Sequence, residues 1–265
     1  MNIVVHELKR ALRSWVYFTA GMAAAIALFG SFFHSLRSNI KLMNDMMQYF
    51  PAEFKAAFGL ADVDLSTAEG YFSFIGMYVV LIGAVYGMKL GVQLLSEEGR
   101  RRAADFLLTR PVRRSAVFFG KLGSILVLLV AQNAAVFAAG LAAARLAMSE
   151  TFDAGLLALL LFSTFFVQLF FVGLGLAVAA AARKIKSVTP IALGVVFFFF
   201  IINMVNESLR DPKLAYLTPF AWFKGSAVIA ARGYDTGFLL AGFAVFTAFT
   251  SLAFLLYQRK DFYAA

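Results

Sequence analysis

Six apolar runs divide the chain: Trp15–Phe33, Phe72–Leu95, Leu122–Ala144, Ala154–Ala182, Val188–Val205 and Phe238–Tyr257. Each approaches or exceeds the roughly 20 residues that a helix needs to cross a hydrocarbon core of about 30 Å. Five contain no charged residue, and the second contains only Lys89. The pattern predicts an all-α, polytopic membrane protein with six transmembrane helices. The fourth run is long enough to tilt or to extend beyond the bilayer. Pro190 fits the first turn of the fifth, where a missing N–H costs little.

The segments between the runs carry their own signals. In residues 2–13, Val4, Leu8, Ala11 and Leu12 gather near one helical face, with Glu7, Lys9, Arg10 and Arg13 mostly elsewhere. That arrangement predicts an N-terminal interfacial helix lying on one leaflet before the first span. Residues 34–71 form the longest polar connection, with an amphipathic helix predicted around Ile40–Phe58. Residues 207–237 hold Pro212, Pro219 and an aromatic patch of Phe220, Trp222 and Phe223. Such a patch fits either the membrane interface or a short re-entrant helix packed against protein.

Composition agrees with lipid as the main solvent. Of 265 residues, 62% are hydrophobic and 15% charged, against about 25% charged in an average soluble domain. The length suits a single transmembrane domain over residues 1–265 and leaves no room for a separate soluble enzyme domain. The first run is long and has no clear cleavage motif after it, so it reads as a retained span.

The net charge of +9 sits in short patches between apolar runs, a placement that suits a membrane and not nucleic acid. Fifteen Lys and Arg residues fall on one side, at the two ends of the chain and in the second and fourth connections. The other side carries eight, spread over longer segments. The bias predicts a multi-pass cell-membrane protein with both termini in the cytoplasm.

Candidate chemistry is sparse. Cysteine is absent, and the two histidines, His6 and His34, flank the first span on opposite sides. No P-loop, nucleophile elbow or zinc-protease motif occurs, so no catalytic, cofactor or metal residue is assigned. Lys89 lies nearer the cytoplasmic end of its span, where snorkelling is the expected behaviour. Gln132, Asn133, Gln168 and Asn203 are neutral, and interhelical hydrogen bonds are expected of each. Lack of an intramembrane chain of Asp, Glu and His argues against an ion-driven secondary transporter or channel. A membrane sensor or assembly protein is a further alternative.

Residues 96–114 of the second connection are the most informative. A short helix is predicted to about Leu108, and Pro111 then disfavours helix at Arg110. Phe106, Leu107 and Leu108 form an apolar tip among Glu97, Glu98, Asp105 and a run of arginines. Physics alone allows two readings, a basic loop on anionic lipid headgroups or a helix that docks another protein.

The stretch Glu98, Gly99, Asp105, Leu107, Leu108, Pro111, Arg114 and Gly120–Lys121 resembles the pattern of type-2 ATP-binding-cassette (ABC) permeases, the export class. Glu7, Arg10 and Arg13 resemble the elbow helix of that family. Phe50–Pro51, Phe58–Gly59, Asp64, Ser66, Gly70 and Tyr71 resemble its first external segment. Leu217–Phe220 and Arg259–Asp261 resemble its later segments. Arg100–Arg102 depart from it, since small or polar residues are usual there. The resemblance implies that 96–114, including Glu97 and Phe106, is a cytoplasmic coupling helix seated in a separate ABC ATPase subunit. It implies a homodimer, or a pair with a similar permease. The translocation path would be lined by spans one, two and five, with ATP on the partner subunit and no chemistry on this chain.

Overall fold

A computed structural model describes residues 3–39, 45, 48–61, 63–100, 113–147, 152–182 and 184–259. Among them the regular elements are all helical: α1 (Ile3–Ser38), α2 (Ala52–Ala57), α3 (Ala68–Arg100), α4 (Arg114–Ala147), α5 (Ala154–Ala181), α6 (Thr189–Leu209), α7 (Pro212–Ala215), α8 (Pro219–Trp222), α9 (Gly225–Ala231) and α10 (Thr236–Arg259). Six of these, α1, α3, α4, α5, α6 and α10, are long and apolar enough to cross a membrane. They match the six predicted runs: α5 stops one residue short of the fourth, α6 starts one residue into the fifth and runs four further, and the other four helices extend beyond their runs at both ends.

Helix boundaries follow local chemistry. Asp153 caps α5, its Oδ1 accepting the amides of Gly155 and Leu156 at 2.9 and 3.1 Å. Asp235 does the same for α10 through Gly237 and Phe238. Pro190 occupies the first turn of α6, as expected. Asp64 builds the entry to α3: its Oδ1 accepts both the amide and the hydroxyl of Ser66, at 2.9 and 2.6 Å. The hydroxyl first, and then the amide, hold its carboxyl below the usual range. Gly70 packs on this turn so closely that a Cβ would lie 2.0 Å from the Asp64 carbonyl oxygen.

Two expectations are corrected. The N-terminal segment is no separate interfacial helix, because α1 runs without a break through Ile3–Ser38. No glycine or proline precedes Gly21, so nothing interrupts the backbone ladder where an elbow was expected. At 36 residues α1 is about 54 Å long, well beyond the ~30 Å core, so its ends project past the hydrocarbon. The amphipathic helix around Ile40–Phe58 is also interrupted. Part of it falls outside the described residues, and only Ala52–Ala57 forms a helix after Pro51. Proline disfavours helical backbone at Phe50.

The centre of the bundle is the α3–α5 pair. The most apolar stretches of α3 and α5 are 72% and 67% buried, against 11% for α10. Gly83, Gly87 and Gly91 recur every four residues along α3 and let α5 approach closely. A Cβ there would lie 2.5 Å from Thr164 Cγ2, 2.9 Å from the Gln168 carbonyl oxygen and 2.5 Å from the Val172 carbonyl oxygen respectively. Gly175 returns the arrangement, with the Met88 carbonyl oxygen 2.7 Å from its hypothetical Cβ. α1 and α4 run parallel beside this pair, linked by Trp15 Nε1 donating to the Leu128 carbonyl at 3.1 Å.

The 207–237 segment folds back as α7, α8 and α9. Phe220, Trp222 and Phe223 are buried, so the aromatic patch packs against protein. Trp222 Nε1 donates to the Ala215 carbonyl at 3.0 Å, and the Trp222 ring meets Phe170 edge-on.

Candidate functional site

Sequence reasoning points to three places: the 96–114 segment, the N-terminal residues and the polar groups inside the spans. Asp105, Phe106, Leu107, Leu108 and Pro111 lie outside the described residues. Glu97, Glu98 and Gly99 form the last turns of α3, and Arg114 opens α4. The segment is thus held between two long helices whose ends are tied together. Buried Lys121 donates from Nζ to the Leu94 carbonyl at 2.7 Å, joining α4 to α3. Arg114 Nη1 donates to the Gln258 carbonyl at 3.0 Å, joining α4 to α10. Beneath it, Phe118 packs on Phe254 and Tyr257.

The N-terminal residues join the same end of the bundle. Glu7 is buried and pairs with Arg10 at 3.9 Å, while Arg13 is exposed. Ser124 of α4 donates to the Gly120 carbonyl at 2.9 Å and reaches the Val4 carbonyl at 3.5 Å. Lys89 is half-buried and reaches toward Ser14, just ahead of the first apolar run. Its ammonium donates to Ser14 Oγ at 2.8 Å and sits 5.0 Å from the Phe18 ring centre, so it clasps α3 to α1. The aromatic face and the hydroxyl both contribute to its solvation.

Gln132, Asn133 and Gln168 meet as expected. Gln168 Nε2 donates to Gln132 Oε1 at 2.8 Å, and Asn133 Nδ2 donates to Gln168 Oε1 at 2.7 Å. Gln132 Nε2 continues the chain to Met22 Sδ of α1 at 3.3 Å. All three side chains are buried, so the row links α1, α4 and α5 inside the bundle.

Asn203 departs from its expected role. It is buried, and its Oδ1 has no hydrogen-bond partner among the described residues. It lines a cavity of about 60 Å³ at the end of the bundle opposite the N-terminus. Ser73 and Gly76 of α3, Ser163 of α5 and Glu207 of α6 line it too, with Phe220, Phe223 and Lys224 from the folded-back segment. Lys224 Nζ and Glu207 Oε2 form an ion pair on its wall. Sequence reasoning missed this pair. Seventeen positions separate its members, and only the turns at Pro212 and Pro219 bring them together. Among the described residues no cluster of His, Asp or Glu suits a metal ion.

No curated protein matches the chain. The sequence profile of a family described as "ABC-2 family transporter protein" matches residues 1–262, nearly the whole length. With six apolar helices of membrane-crossing length and a profile match from end to end, this chain belongs to the ABC-2 transporter family.

Proposed function

We propose that the chain is the transmembrane subunit of an ABC exporter, in the cell membrane with both termini cytoplasmic. The end-to-end family match carries the reading. The excess of Lys and Arg at the chain ends and in the second and fourth connections supports the orientation. ATP is bound and hydrolysed on a separate ATPase subunit, and this chain contributes no catalytic group.

Residues 96–114 act as the coupling helix, with Phe106, Leu107 and Leu108 as its apolar anchor and the surrounding charges as its rim. Bonds at its two roots support the transmission of force. A push on the segment meets α3 and α4 already joined by Lys121, and α10 joined to α4 by Arg114. Glycine packing makes α3 and α5 one stiff unit, so movement at the cytoplasmic end carries across the bilayer. Two copies, or this chain and a similar permease, enclose the path. Apolar faces on α1 and α6, including Leu28, Phe198 and Ile201, are exposed in the single chain and suit a contact of that kind.

Replacing the anchor tests the coupling. Phe106→Asp with Leu107→Asp leaves insertion and the six-helix bundle intact and abolishes retention of the ATPase on a tagged permease. An ATPase that still co-purifies and still responds to this permease contradicts the assignment.

A further inference from the structure

We infer that the open strip between α1 and α3 is a lipid-binding site, and that it holds an anionic phospholipid from the leaflet on the N-terminal side, its phosphate on the Lys89 ammonium. The inference does not depend on coupling to an ATPase, so the two readings fail separately.

A cation without a counter-charge defines the ligand. Lys89 is the one charged residue in the six apolar runs, and charges within spans persist where something pairs with them. Its ammonium donates to Ser14 Oγ and lies beside the Phe18 ring, and among the described residues no carboxylate pairs with it. Glu7, two turns before Ser14 on α1, pairs with Arg10 instead. An ammonium carries three N–H donors, so one hydroxyl and one ring leave part of its capacity unused. Lys89 is only half-buried, which keeps that capacity within reach of the surface. No second copy of the chain can pair with it from within the six runs, which contain no Asp or Glu. Lipid phosphate does stand at this level. Ser14 immediately precedes the first run, and Trp15 beside it is a residue type that favours the membrane–water boundary. Basic groups between spans at that level bind anionic headgroups.

The rest of the strip suits an acyl chain. Phe74, Tyr78, Ile82, Lys89 and Gln93 of α3 keep partial exposure, and their spacing of four or seven residues puts them on one helical face. Tyr78 stacks on Phe29 at 6.2 Å, so α1 forms a wall. Gly21, two turns beyond Ser14 on α1, is exposed, and a Cβ there would meet nothing within 4 Å. From Lys89 to Tyr78 the helix rises about 16 Å, close to half of the ~30 Å core, the depth of one leaflet. A cation at one end of an apolar strip of that length matches a phospholipid and not a soluble anion.

Native mass spectrometry tests the site. The full chain is released from nanodiscs of phosphatidylglycerol and phosphatidylcholine in equal amounts, and the lipids that stay bound are counted. Retention of phosphatidylglycerol in preference to phosphatidylcholine is expected. Lys89→Met and Lys89→Gln remove the charge and should lower that preference by about fivefold, the factor that one cation at the membrane surface contributes. Lys89→Arg should keep it, as should Lys186→Met, which removes an exposed cation from the fourth connection. Glycerol 3-phosphate, a phosphate without acyl chains, should not displace the lipid. Equal retention of the two lipids by the wild type, displacement by glycerol 3-phosphate, or an undiminished preference in monodisperse Lys89→Met or Lys89→Gln protein overturns the inference.

Discussion

Gln168 donates from Nε2 to Gln132 Oε1 across 2.8 Å, and neither side chain has any exposed surface. The bond joins α5 to α4 in the interior, where no water competes. Asn133 donates to the same glutamine, so one side chain satisfies two others. Such bonds average about 0.6 kcal/mol within membranes, but the partners left behind raise the cost of losing one.

Gln168→Leu should therefore destabilise the bundle by about 1–3 kcal/mol, because Gln132 and Asn133 both lose a buried partner. Thermal unfolding in detergent measures it. An unchanged midpoint would mean that the row contributes nothing to holding α4 and α5 together.

The α3–α5 contact makes a sharper contrast. Gly87→Val pushes a branched side chain into the Gln168 backbone, whereas a Cβ at Gly21 meets nothing within 4 Å. Overpacking of this kind typically costs about 1–3 kcal/mol and more where only backbone can move. Gly87→Val should lower the yield of monodisperse protein severalfold, and Gly21→Ala should not. Equal yields would contradict the close approach of the two helices.

Tyr234 makes a pH-dependent contribution outside the spans. Its hydroxyl donates to the Leu159 carbonyl, and burial pushes the phenol up to about 12 from an ordinary 10.0. The unfolded chain releases this proton first. The contribution is therefore fully present below pH 10 and is lost as pH rises toward 12. Wild type should be more stable than Tyr234→Phe at pH 9, with the stability difference shrinking by about 1–2 kcal/mol above pH 11. A gap that stays constant over this range would remove the assigned pKa.

Much of this architecture is legible in the residues, and the exceptions have physical causes. Unbroken apolar runs mark the spans because lipid imposes that pattern on any crossing helix. Pro190 marks where one of them begins. Continuity is harder to read. An amphipathic segment followed by an apolar one looks like two helices, but without a breaker before Gly21 the chain makes one. Pairings across folded turns leave no periodic trace, so Glu207 and Lys224 read as ordinary connection charges. Asn203 sits on a span much as Gln168 does, yet only packing decides that one finds a partner and the other borders a cavity. The resemblance to ABC permeases rested on residues whose observed roles are partly architectural. Asp64, Ser66 and Gly70 build the entry to α3, and Tyr71 donates from its hydroxyl to the Phe29 carbonyl at 2.6 Å.

Absence of cysteine from the chain makes its central claim open to direct test. Single variants Phe106→Cys and Leu108→Cys, and Tyr49→Cys on the opposite side, are expressed with the ATPase subunit and treated with a short thiol–amine cross-linker. The account predicts permease–ATPase adducts from Phe106→Cys and Leu108→Cys and none from Tyr49→Cys. An ATPase that co-purifies with all three variants yet forms no adduct at either coupling-helix position would contradict it.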